Sequence, residues 1–96
     1  MEYRETERIE FKRTANERIA KTVIAFANGI GGDIYIGIDD FGQVAGVDDI
    51  DGEMLKVSSL VHDAVCPPLM QFVHIEPIEL EGRDVVRVSV EAGDEK

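Results

Sequence analysis

Four acidic side chains sit where the chain can bring them together. Glu5 and Glu10 flank the start of the alternating stretch RIEFK, and Asp39 and Asp40 lie at the tip of a turn in IGIDDFGQV. If the RIEFK strand packs beside the strand leading into that turn, three or four carboxylates converge. Clustered hard oxygen donors suit Mg²⁺ or Mn²⁺, and such an ion can polarise a phosphodiester and activate water. The plain alternative is an ordinary acidic surface, since 20 of the 96 residues are Asp or Glu. Spacing alone favours that alternative.

A second set of side chains is basic. Residues 1–21 carry six basic groups, Arg4, Arg8, Lys12, Arg13, Arg18 and Lys21, against five acidic ones, a net of +1. Residues 22–96 hold the other four basic groups and fifteen acidic ones, a net of −11. The overall charge of −10 argues against uniform attraction to nucleic acid, so any basic face has to be built from the N-terminal segment. Lys12 and Arg13 end the first strand, and Arg18 and Lys21 fall on the exposed side of the following helix. Together they form a strip suited to phosphates. Solvated surface charge is again the plain alternative. Among the aromatic residues, Tyr3, Tyr35 and Phe41 are placed to stack on bases, and Tyr35 fits the core equally well.

Other chemistries fit less well. Gly29, Gly31 and Gly32 follow a helix and precede a strand, whereas dinucleotide and phosphate loops need the reverse order. With Asn28 these glycines read as a helix-to-strand corner, one that would also let a nucleic-acid backbone come close. His62, Asp63 and Cys66 share helical spacing, but the only other histidine is His74, in a strand, so no structural zinc site is expected. Cys66 in AVCPP reads as a buried, inert thiol rather than a nucleophile, and a single cysteine excludes an internal disulfide.

The elements that must position these groups follow from pattern. RIEFK alternates Ile9 and Phe11 against charged residues, a half-buried strand. Thr14 or Asn16 can cap the next helix, where Ile19, Val23 and Phe26 recur with Ala20, Ile24 and Ala27. Asn28-Gly29 ends it, because both residues tolerate a left-handed backbone. Residues 33–47 read as a hairpin: the strand DIYIGI, the turn DDFG and the return strand QVAGV. A second helix begins at Asp51-Gly52-Glu53, turns Met54, Leu55, Leu60 and Val61 inward, and stops at Pro67-Pro68. Two strands then flank a Glu81-Gly82 turn, and Pro77 places its strand at an edge or a bulge. The order β-α-β-β-α-β-β predicts a single two-layer α+β domain over residues 1–96, a mixed sheet with both helices on one face. No apolar stretch approaches the roughly 20 residues of a membrane span. The charged N-terminus is no secretory signal, so a cytoplasmic location and no membrane partner are expected.

The segments ETERIEFKR and IAKTVIAFANGIGGDIYIGIDDFGQVAGV closely resemble the Schlafen AlbA-type domain. The matching positions are Glu5, Glu10-Phe11-Lys12, Ala25-Phe26-Ala27-Asn28, Gly31-Gly32, Ile36-Gly37-Ile38-Asp39-Asp40, Gly42, Val44 and Gly46-Val47. Only Ile38 departs from the family pattern, and conservatively. The resemblance implies an Alba-like α+β fold and a DNA-binding module. It also implies a setting: the N-terminal part of a longer bacterial or archaeal protein, of transcriptional-regulator or helicase-like type. Similar domains of vertebrate Schlafen proteins are metal-dependent RNA endonucleases, and their three acidic residues match Glu5, Glu10 and Asp40. The expectations are therefore three. The first is a module binding DNA or RNA through Lys12, Arg13, Arg18 and Lys21. The second is an endoribonuclease holding Mg²⁺ or Mn²⁺ on Glu5, Glu10 and Asp40. The third is a protein-interaction or oligomerisation module such as a homodimer.

Overall fold

The computed structural model describes residues 8–64 and 71–92. The expectations for Tyr3, Glu5, Cys66 and Pro67-Pro68 lie outside those residues. Six elements follow in order: β1 Ile9–Lys12, α1 Arg18–Asn28, β2 Gly32–Ile36, α2 Ile50–Ala64, β3 Val73–Leu80 and β4 Arg83–Val90. They build a four-stranded sheet in the order β1-β2-β4-β3. β1 runs parallel to β2, a pairing that needs a crossover, which α1 supplies. The other two pairings are antiparallel. The β3–β4 turn uses Glu81 at φ 53° and Gly82 at φ 75°, the two positive values that a tight hairpin of the right twist demands. Pro77 lies on edge strand β3, where a missing N–H is tolerated.

Alternation along each strand separates the two faces of the sheet. Ile34 and Ile36 of β2 share a face with Val86, Val88 and Val90 of β4. This face packs on Ile19, Val23 and Ala27 of α1 and on Val57 and Val61 of α2, giving one core with both helices on one side. The fold is thus the expected two-layer α+β arrangement with a mixed sheet. The inward face of α2 differs in one residue: Leu55 is exposed, and Val57 takes the buried position, with Met54 and Leu60 packed beside it.

The expected return strand QVAGV is reduced to one bridge, Ile38 to Val44. β2 already has β1 on one edge and β4 on the other, so no edge is left for a second partner. The chain instead leaves the sheet at Gly37, whose φ of 120° favours glycine. It is gathered back by the Ala45 and Gly46 N–H groups, both donating to the Gly37 carbonyl at 2.8 Å, and by Val47 N–H to the Asp84 carbonyl at 2.9 Å.

The helix ends show which polar residues act locally. Arg18 N–H donates to Asn16 Oδ1 at 2.9 Å, so Asn16, not Thr14, satisfies an N-terminal donor of α1. Asn16→Ala is expected to cost about 1 kcal/mol. A denaturant midpoint equal to that of the wild type would contradict this role. At the other end, the Gly29 and Gly31 N–H groups share the Phe26 carbonyl, at 3.1 and 2.9 Å. The left-handed residue here is Gly31, at φ 82°. Asn28 remains helical and Gly29 has φ −117°, so the expected left-handed step sits later than Asn28-Gly29. Gly32 then lets two neighbours in: a Cβ there would stand 2.6 Å from the Arg8 carbonyl and 2.8 Å from the Phe26 ring.

Candidate functional site

Register decides what β1 presents. Glu10 pairs with Ile34 and Lys12 with Ile36, so these two charged residues lie on the helix side of an edge strand. Two residues apart on a strand, they point the same way, and Lys12 Nζ meets Glu10 Oε2 at 3.1 Å. The apolar residues Ile9 and Phe11 turn to the other face. Phe11 is buried there and packs tilted against Tyr35, with ring centroids 6.3 Å apart. Tyr35 is also flanked by Arg87, its register partner on β4.

Arg87 is central to that second face. It donates to Glu76 Oε2 on β3 at 2.8 Å and to Asp33 Oδ1 on β2 at 3.3 Å. The Glu76 hydrogen bond pushes the guanidinium above its ordinary value. Burial opposes this, while Asp33 and Tyr35 add to it. This acid–base–acid ladder clamps three strands together. Glu76 faces Arg87 within the β3–β4 hairpin, but Asp33, 54 residues from Arg87, joins them only through the strand order.

The remaining basic residues are differently placed. Arg13 is exposed just after β1, and Arg18 and Lys21 are exposed at i and i+3 on α1. None of the three forms an ion pair among the described residues. The loop between Arg13 and α1 is pinned by Ala15 N–H, which donates to Glu53 Oε2 on α2 at 2.7 Å. A shallow cleft of about 310 Å³ opens there, lined by Arg13, Thr14, Gly46, Asp49 and Glu53. Sequence reasoning missed Glu53. A glutamate in the first turn of a helix reads as a favourable dipole contact, and its reach to a loop 38 residues away is a tertiary fact.

The turn after β2 docks on the same end of β1. Gly37 and Ile38 N–H donate to the Lys12 carbonyl at 2.7 and 3.3 Å. Asp39 Oδ1 accepts from the Phe41 and Gln43 N–H groups at 2.9 and 3.0 Å, an Asx turn that occupies one oxygen of this carboxylate. Asp40 is exposed. The turn and β1 thus come together as expected, but Glu10 is engaged by Lys12 and Glu5 is outside the described residues. Among the described residues, no group of three His, Cys, Asp or Glu side chains is placed to hold a metal. Glu10, paired with an ammonium, and Asp40, on an exposed turn, are the two members of the expected Mg²⁺ or Mn²⁺ set that fall among the described residues. His74 Nε2 lies 2.8 Å from Glu91 Oε2 at the surface, and His62 is exposed on α2. No helix of the described residues is long and apolar enough to cross a membrane.

This architecture has known counterparts. The crystal structure of the DIP2311 protein from Corynebacterium diphtheriae superposes with a TM-score of 0.63 at 20% sequence identity, over 95% of this chain. At that identity the likeness is one of fold. The chain spans only 22% of the length of that protein. No curated protein matches the chain. The family model described as Schlafen, AlbA_2 matches residues 5–96, nearly the whole length. The chain belongs to the Schlafen AlbA_2 family.

Proposed function

We propose that this domain binds nucleic acid, DNA foremost, by holding phosphates on Arg13, Arg18 and Lys21. It would do so as one module of a larger transcriptional-regulator-like or helicase-related protein. The supporting observation is that these three cations are exposed and unpaired among the described residues of a chain with net charge −10. Membership of the Schlafen AlbA_2 family, a nucleic-acid-related domain, points the same way. Lys12 contributes less, because Glu10 already holds its ammonium. Binding through so few point charges is weak, salt-sensitive and largely independent of sequence. The test is fluorescence anisotropy with labelled duplex DNA and RNA at low salt. Replacing Arg13, Arg18 and Lys21 together by alanine is expected to reduce affinity about tenfold or more. Undiminished binding by that variant would overturn the assignment.

Glu10 separates this proposal from metal-dependent RNA cleavage. Glu10→Gln releases Lys12 and should tighten binding, steepening the salt dependence by about one unit. If Glu10→Gln leaves binding unchanged and instead abolishes an Mn²⁺-dependent cleavage of RNA, the carboxylate chemistry is the better account.

A further inference from the structure

We propose that Phe41 is a base-stacking residue, and that the domain therefore prefers single-stranded nucleic acid to duplex. This rests on the phosphate-binding proposal above and adds to it the group that meets the bases. Phe41 is 80% exposed, more so than Ile30 or Leu55, the other large apolar side chains at the described surface. Its turn is braced from within. Besides the two N–H groups held by the Asp39 carboxylate, Gly42 N–H donates to the Asp39 carbonyl and Asp39 N–H to the Gln43 carbonyl, each at 3.0 Å. The ring is thus presented on a fixed backbone, so little ordering remains to be done when a ligand meets it.

The position of the ring identifies its occupant. Gly37 and Ile38 are hydrogen-bonded to the Lys12 carbonyl, and Arg13 is the next residue. Phe41 lies three residues beyond Ile38, a reach of at most about 11 Å. The turn that presents Phe41 is therefore tied to the end of β1, the point from which Arg13 follows. Of the other aromatics in the described residues, Tyr35 and Phe11 pack on each other, Phe26 packs against the core, and Phe72 is half-buried just before β3. The carboxylates next to the ring sharpen the choice. Asp39 Oδ1 is held by two backbone donors, and exposed Asp40 repels phosphate. A strand lying on Arg13, Arg18 and Lys21 keeps its backbone on that side and turns a base toward Phe41. A base inside a duplex is already stacked, whereas a single strand offers one freely, with little dependence on sequence.

The chain contains no tryptophan, so Phe41→Trp introduces a single indole at this point alone. It is titrated at low salt with an oligothymidine strand, an oligouridine strand, duplex DNA and an abasic deoxyribose-phosphate strand. Both base-bearing single strands are expected to quench the indole, and the abasic strand is not. Phe41→Ala should weaken oligothymidine binding by roughly 5- to 100-fold while leaving duplex binding unchanged. An unaltered melting temperature shows that this surface substitution keeps the fold. Suppose Phe41→Ala binds single strands as the wild type does, while the Arg13, Arg18 and Lys21 variant loses them. The stacking role then falls and phosphate binding stands. Equal weakening of single strands and duplex would overturn the preference for single strands. If neither kind of nucleic acid binds the wild type, both proposals fall together.

Discussion

Gly31→Ala is expected to destabilise the domain by about 3 kcal/mol. Two costs combine. A φ of 82° is a left-handed conformation that an L side chain adopts only with strain. In addition, the new Cβ would stand 2.7 Å from the Val90 carbonyl and 3.0 Å from the Ala92 nitrogen, both backbone atoms that cannot swing aside. For a domain of this size the loss corresponds to a fall of roughly 12–24 °C in Tm. Gly29→Ala is the internal control. Its φ is −117° and, although its ψ of −129° is unusual and a new Cβ would stand 3.2 Å from the Ala25 carbonyl oxygen, the crowding is milder than at Gly31, so a clearly smaller loss is expected. Thermal melts of the two variants decide the matter, and equal losses would mean that the left-handed step has been placed at the wrong glycine.

Glu53→Ala is expected to cost about 2 kcal/mol and also to weaken nucleic-acid binding. Ala15 is buried, and its N–H has the Glu53 carboxylate as acceptor at 2.7 Å. Removing the acceptor leaves a buried donor unsatisfied, and a bond to a charged group is among the stronger kinds. The same contact holds the loop that presents Arg13, so its loss spreads that cation over more positions and dilutes its contact with phosphate. Glu53→Gln keeps an acceptor at the same reach and should retain most of both properties. Denaturant unfolding and a DNA titration on the pair of variants provide the check. A glutamine variant as damaged as the alanine one would show that the charge itself, not the pinned loop, is what matters.

The layered fold was legible in the sequence because its signals are local. Helical recurrence of Ile19, Val23 and Phe26, joined by Ala20, Ile24 and Ala27, gave α1. The β-branched runs gave β2 and β4, and Glu81-Gly82 marked the hairpin turn. Pro77 correctly pointed to an edge strand. What was not legible depends on which strand lies beside which. QVAGV has the pattern of a return strand, but β4 takes the edge of β2 that it needed. Likewise RIEFK alternates as expected, yet only the parallel register with β2 shows that its apolar side faces away from the helices. That register also directs Lys12 onto Glu10, which divides the four basic residues singled out by sequence into one paired and three unpaired. The Arg87–Asp33 and Ala15–Glu53 contacts were invisible for the same reason, since the partners are 54 and 38 residues apart in the chain.

The central claim is that the cations following β1 hold phosphates, and the salt dependence of binding tests it most directly. Each phosphate neutralised on duplex DNA contributes about −0.9 to the slope of log affinity against log salt. Arg13, Arg18 and Lys21 together predict a slope of about −3, or a fall in affinity of roughly 40-fold between about 50 and 200 mM salt. With all three replaced by alanine, the slope should collapse toward zero in a protein that melts like the wild type. A variant that keeps the wild-type slope would contradict the claim, since its phosphate contacts would have to lie elsewhere.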